Sequence, residues 1–264
     1  TITLSGQLSG PGGLNKVGAG TLVLTSHNAF TGGTVIDQGT LRIDVSGNGG
    51  ASALPPGQPV TVNSGATLFL NRQDSMGWFG GNPSVVNLVG GTMTSAAGVH
   101  QSIGPVEMTA GTLTSEGPGT GTGNYIFDGT ITSRASGTTS VIDAQKAYIR
   151  NGGTFTVEDG AAAIDLLVST QLTNGELIKN GPGTMVLTNT ANSYSRTKID
   201  DGVLQLGAAN VLPNNDVHNN WGGGGTLDLN GFSDAINRLG GNPTITNTGG
   251  CLLYTSPSPR DLST

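Results

Sequence analysis

The stretch Leu14–Ile43, LNKVGAGTLVLTSHNAFTGGTVIDQGTLRI, returns in altered form from Leu177 to Leu206 as LIKNGPGTMVLTNTANSYSRTKIDDGVLQL. Aligned, Lys16 meets Lys179, Gly18 meets Gly181, Gly20-Thr21 meets Gly183-Thr184 and Leu24 meets Leu187. Phe30 then meets Tyr194, Thr34 meets Thr197, Ile36-Asp37 meets Ile199-Asp200, Gly39 meets Gly202 and Leu41 meets Leu204. The pattern slips at one glycine, present in Gly32-Gly33 and lost at Ser195-Arg196. A long pattern that recurs with its glycines in register marks a repeat architecture. Working outward, Gly65–Asn71 answers Gly224–Asn230, and Phe79–Asn87 answers Leu239–Asn247. The expected organisation is one repeat domain over residues 1–250, with related units near 14–87 and 177–247.

Composition narrows the class. Glycine supplies 45 of 264 residues, while charged residues are 11% and aromatics 5%. The glycines sit between short alternating apolar runs, so they read as turns rather than as disorder. Long helices have no room, because glycine, proline or β-branched residues break most windows. The net charge of -6 is spread out, which argues against nucleic acid, since phosphate binding needs clustered Lys and Arg. No apolar run approaches the ~20 residues of a membrane helix. Thr1–Leu4 reads as a strand already under way, so the N-terminus is expected to be a cut end. Cys251–Asp261, CLLYTSPSPRD, has no partner in the repeat and resembles a translated sequencing adapter. Residues 251–264 are therefore expected to be a non-native tail, which leaves the rest without cysteine and removes thiol chemistry.

Short strands closed by glycine, asparagine or aspartate every four or five residues suit a coil around one axis better than a sandwich of hairpins. The middle of the chain agrees: Gly91-Thr92-Met93-Thr94, Gly111-Thr112-Leu113-Thr114, Gly129-Thr130-Ile131-Thr132 and Gly153-Thr154-Phe155-Thr156 recur about every twenty residues, a solenoid period. Turns stacked ~4.8 Å apart pair like strands in parallel. Met93, Leu113, Ile131 and Phe155 are expected to stack inside, and the chain is expected to be an all-β parallel β-helix.

The blocks at Leu14 and Leu177 resemble the passenger-associated (autotransporter-associated) β-strand repeat of large secreted bacterial proteins. That pattern runs approximately L-x-K-x-G-x-G-T-L-x-L, then N-x-Y/F-T-G-G-T, then a G-T-L strand. The second copy departs from it at Pro182, Met185, Ser195-Arg196 and Val203. The resemblance implies a right-handed β-helical passenger, exported and displayed or released outside the cell, with an outer-membrane barrel elsewhere in the full-length protein. The implied role is structural and adhesive, toward host-surface or matrix glycans or proteins, with no catalysis and no cofactor. The alternative is a polysaccharide-active or polysaccharide-binding module.

Candidate chemistry is sparse. Glycoside cleavage needs paired carboxylates, and the candidates are Asp200-Asp201, Glu158-Asp159 and Asp165; most precede glycine and read as turn builders. Asp216 and His218 share a strand face and could begin a metal site, with no third ligand evident. Lys16 and Lys179 are expected to pack their stems and keep the ammonium in water. The surface feature that stands out is threonine: Thr92, Thr112, Thr130 and Thr154 beside Thr94, Thr114, Thr132 and Thr156. Stacked, these form a flat two-column contact ladder like the strips of β-solenoid ice-binding proteins.

Overall fold

A computed structural model describes residues 1–47, 51–78, 82–150, 152–220 and 223–250. The expectations placed on Phe79–Gly81 and on the tail Cys251–Thr264 lie outside these residues. The chain is all-β: a parallel solenoid of about eleven turns, each about 22 residues long. Every pairing between its named strands is parallel, as between Thr21–Leu24 and Thr40–Ile43. Among the described residues no helix is long and apolar enough to cross a membrane.

One wall is a twelve-stranded sheet whose strands follow one another in chain order from Ile2–Leu4 to Thr244–Thr246. Strand alternation turns every second side chain inward, and the parallel register stacks like on like. Leu22, Leu41, Leu68, Met93, Leu113, Ile142, Val168, Leu187 and Leu206 form one continuous inner column. From Leu41 onward each member is fully buried, and each such aliphatic side chain stabilises the coil by about 1.5–3 kcal/mol. Leu22, near one end of the stack, is only half-buried.

The facing wall is a fourteen-stranded sheet. The ten-residue strand Gln171–Asn180 spans two of its strips: its first half pairs with Lys146–Ile149 and its second half with Gly153–Val157. Ile131 and Phe155 stack in this sheet, whereas Met93 and Leu113 stack in the other. All four point inward as expected, but as two columns instead of one.

The rungs are unequal. From Thr112 to its partner Val141 the chain takes 29 residues, and from Asp228 to Thr246 only 18. Across both repeat copies the spacing is 19, Thr21 to Thr40 and Thr184 to Val203. Unequal rungs correct one part of the repeat alignment. Gly-Gly-Asn-Pro precedes Val86–Val89 of the fourteen-stranded sheet in the first copy. In the second it precedes Thr244–Thr246 of the twelve-stranded sheet. The same four-residue sequence thus leads into different walls once the intervening loops differ in length.

Candidate functional site

The eight threonines of the expected ladder do not lie together. Thr92 pairs with Thr112 and Thr94 with Thr114 in the twelve-stranded sheet. Thr132 pairs with Thr156 in the fourteen-stranded sheet, where Thr154 faces Ile178 and Thr130 immediately precedes the strand Ile131–Ser133. The next rung after Thr112 offers Val141, because the 29-residue turn carries Gly129–Thr132 around to the other wall. Thr94 is also buried at 9% exposure.

A different column replaces the expected one. Thr21, Thr40, Thr67, Thr92 and Thr112 are in register on five consecutive rungs, all half-buried on the outer face. Its flank reads Val23, Arg42, Phe69, Thr94 and Thr114, with the Arg42 guanidinium 5.1 Å above the Phe69 ring. Paired threonine columns therefore persist for two rungs only. The missed members carry a signal in the sequence: Thr21 and Thr40 also follow glycine and precede leucine, but they lie inside the repeat and outside the middle rungs.

The residues that define the repeat turn inward and hold the corners. Lys16 and Lys179 occupy inward positions of the fourteen-stranded sheet, in register with Ile36 and Ile199. Contrary to expectation, neither keeps its ammonium in water: Lys16 is 6% exposed and Lys179 is 0%. Lys16 Nζ donates to the carbonyls of Val17 at 3.1 Å, Gly18 at 2.6 Å and Gln38 at 2.9 Å. Lys179 Nζ donates to Asn180 at 3.3 Å, Gly181 at 2.7 Å and Asp201 at 3.0 Å. Each lysine ties its own glycine turn to the turn of the next rung. Three charge-assisted bonds offset the cost of burying an ammonium. Burial pushes the Lys179 pKa down to about 8, against the pull of Asp201 and Asp165. The next turn needs glycine: Gly39 and Gly202 have φ of 66° and 62°. A Cβ there would lie 2.5 Å from the Gly20 carbonyl oxygen and 2.4 Å from that of Gly181.

A second staple is asparagine. Asn28 Oδ1 accepts from the Leu8 amide at 2.8 Å while its Nδ2 donates to the Ala53 carbonyl at 2.6 Å. Asn192 repeats this with the Leu172 amide and the Val211 carbonyl. Each therefore joins the rung before to the rung after. Asp234 takes the same post two rungs on, accepting from the Leu212 amide at 2.9 Å. Two residues later the aromatic of the pattern, Phe30 or Tyr194, is buried in the core.

Four of the five carboxylate candidates are engaged in the frame, while Asp159 is exposed. Asp165 is buried and accepts from the amides of Gly160 and Thr184, both at 2.8 Å. Glu158 meets Arg134 at 2.6 Å and the Ala135 amide at 3.1 Å. Asp200 pairs with Lys198 at 2.9 Å, and Asp201 accepts from the Gly202 amide. Asp216 and His218 do share an outward face of the strand Asp216–His218. Among the described residues no three His, Cys, Asp or Glu side chains converge as metal ligands. Instead Asp216 and His218 line a shallow depression of about 320 Å³ with Arg196, Asn219, Arg238, Gly240 and Gly241.

Comparison with known proteins meets this geometry at both repeats. Residues 14–43 and 177–206 match the Passenger-associated-transport-repeat family. Over 275 aligned residues the chain is 31% identical to "Adhesin BmaC autotransporter" of Brucella suis biovar 1 (strain 1330). That alignment covers 97% of the chain but 6% of the relative. No solved structure matches significantly.

Proposed function

From a chain that carries two passenger-associated-transport repeats and is related along almost its whole length to an autotransporter adhesin, we propose the following role. It is a β-helical passenger segment, displayed on or released from the outside of a bacterial cell, where it extends and presents adhesive surface. The observation that carries this reading is the staple geometry. Both repeats spend their shared lysine and asparagine on joining rungs of the coil. A solenoid is stabilised mainly by neighbouring rungs, so such a segment can be lengthened without redesign. Its role is to hold and extend surface.

Two measurements test this. The chain is expressed between an export signal and an outer-membrane barrel, and protease is added to intact cells. Surface display predicts cleavage of the chain without lysis, and a chain protected until lysis would overturn the reading. Beads coated with the folded chain are expected to bind matrix-coated or cell-coated surfaces above beads coated with the heat-denatured chain. Equal binding would remove the adhesive part.

A further inference from the structure

We infer that the depression on the outer face of the second repeat, between Arg196 and Arg238, is a subsite for an acidic saccharide unit, one that carries a carboxylate or sulfate beside hydroxyls; this rests on the adhesive reading above. The sequence builds it across four rungs. Glu176 is in register with Arg196, and Asp216 with Arg238. Arg196 precedes Thr197 as Asp216 precedes Val217, and Thr197 pairs with Val217. The four side chains therefore form a column of alternating charge. Its two arginines are set two rungs, or ~9.5 Å, apart along the sheet at the backbone.

The charges of this column are not equally satisfied. Arg238 is held by Asp216 at 2.7 Å, and Asn237 also donates to Asp216 at 2.8 Å. These two donors keep the Asp216 pKa below its ordinary value. Arg196 has a long ion contact, 3.8 Å to Glu176 Oε1, and adds to the positive field on Asp216, while its side chain is 54% exposed. That Glu176 oxygen is buried without a hydrogen bond and is shared with His218 Nε2 at 3.3 Å. Arg196 is thus an exposed cation without a close ion pair, and Arg238, 72% exposed, offers its remaining donors. Gly240 and Gly241 leave the floor without side chains.

The mixture selects the ligand. A bare phosphate or a nucleic acid backbone would gain from the arginines but meet the Asp216 carboxylate. A saccharide meets both, placing its anionic group on Arg196 and hydroxyl donors on Asp216. Arginine favours carboxylate and sulfate geometry because its donors form a planar fork. The volume is at the small end of ligand sites, which fits one sugar unit of a longer chain lying along the face.

Binding is measured by titration calorimetry of the whole chain at low salt with four probes. These are a sulfated, uronate-bearing heparin-derived hexasaccharide, a uronate oligosaccharide without sulfate, neutral cellohexaose, and inorganic sulfate. The expected result is binding of one or both acidic oligosaccharides, the difference between them showing which anion is preferred. Cellohexaose and sulfate should bind at least tenfold more weakly. Arg196→Ala and Arg238→Ala should each lose about tenfold, with an unchanged unfolding midpoint, while Arg72→Ala, removing an exposed arginine elsewhere, should lose nothing. Should either site variant fail to fold, phenylglyoxal modification of the unmutated chain serves: the acidic oligosaccharide should slow modification of Arg196 and Arg238 but not of Arg72. Equal binding of cellohexaose or sulfate, or indifference of binding and protection to these two arginines, would overturn the subsite. Bead adhesion that persists beside such a result would leave the adhesive reading standing, whereas saccharide binding without bead adhesion would count against that reading alone.

Discussion

The two repeat copies are nearly the same inside and different outside. In both, a buried lysine holds three carbonyls and an asparagine, buried in the first copy and half-buried in the second, bridges two rungs. In the first copy the chain bends at Thr31-Gly32-Gly33, splitting the strands Ala29–Phe30 and Thr34–Ile36. A Cβ at Gly32 would lie 2.5 Å from the Gly13 amide nitrogen, so that corner is closed by backbone on backbone. The second copy adds a residue before Asn192 and loses the glycine after Tyr194. There Ser193–Ile199 runs as one seven-residue strand, and Arg196 stands in register with Glu176. The loss of one small residue left the internal staples intact and opened an outer face to charged side chains. Staples constrain the fold, and the corner between them is free to vary.

The largest expected effect lies in the staples. Lys179→Ala strands three carbonyls and leaves a cavity, and should cost about 3–5 kcal/mol in urea unfolding. Lys16→Ala should cost less, about 1–3 kcal/mol, because Lys16 sits near one end of the stack where neighbouring rungs are fewer. Equal small effects would show that the lysines are not staples. Next come Asn28→Ala and Asn192→Ala, each expected to cost about 1–3 kcal/mol; a large gap between them would mean that the copies differ inside as well as outside.

The Lys179 staple should also make stability depend on pH. Below pH 8 both folded and unfolded chains hold the Lys179 proton. Between the folded value of about 8 and the ordinary value of 10.5 the folded chain has lost it and the unfolded chain has not. The unfolded state then binds more protons, so stability rises with pH, by up to about 3 kcal/mol. Burial raises the Tyr125 and Tyr194 pKa values above 10, so above about pH 10 the unfolded chain ionises first and stability falls. Unfolding midpoints should therefore climb from pH 8 to 10 and then decline, and Lys179→Met should flatten the climb. A climb that survives in Lys179→Met would assign it to another group.

A smaller effect is expected from restoring the first copy's corner. Replacing Ser195-Arg196 by Thr-Gly-Gly should change stability by within about 1 kcal/mol, yet abolish acidic saccharide binding in calorimetry. The smallest belongs to the outer threonine column. Thr112→Lys should fall within about 0.5 kcal/mol, since its side chain is half-exposed; a cost of several kcal/mol would mean that the column packs against something.

Much of this architecture was legible in the chain. The glycine-spaced strands at Leu14–Ile43 and Leu177–Leu206 announced a parallel coil, because strand period and corner chemistry are local properties. Met93, Leu113, Ile131 and Phe155 point inward as their alternation required. The wall on which each strand lies was not legible, and so the expected ladder includes Thr130 and Thr154, whereas the column in register runs through Thr67, Thr40 and Thr21. Loop length between rungs decides that assignment, and a loop has no periodicity to read. The environment of Lys16 and Lys179 was hidden for a related reason. A lysine in a strand pattern reads as a surface residue until the next rung places three carbonyls around it.

The sequence by itself determined the strand elements, the turns and the equivalence of the two repeats, since each depends on residues within one rung. Tertiary structure alone decided which strands stack, which cations are buried and that Arg196, Asp216, His218 and Arg238 share one face. Those relations join residues about twenty positions apart through the rise of one rung, and that distance is fixed only when every loop between them has closed.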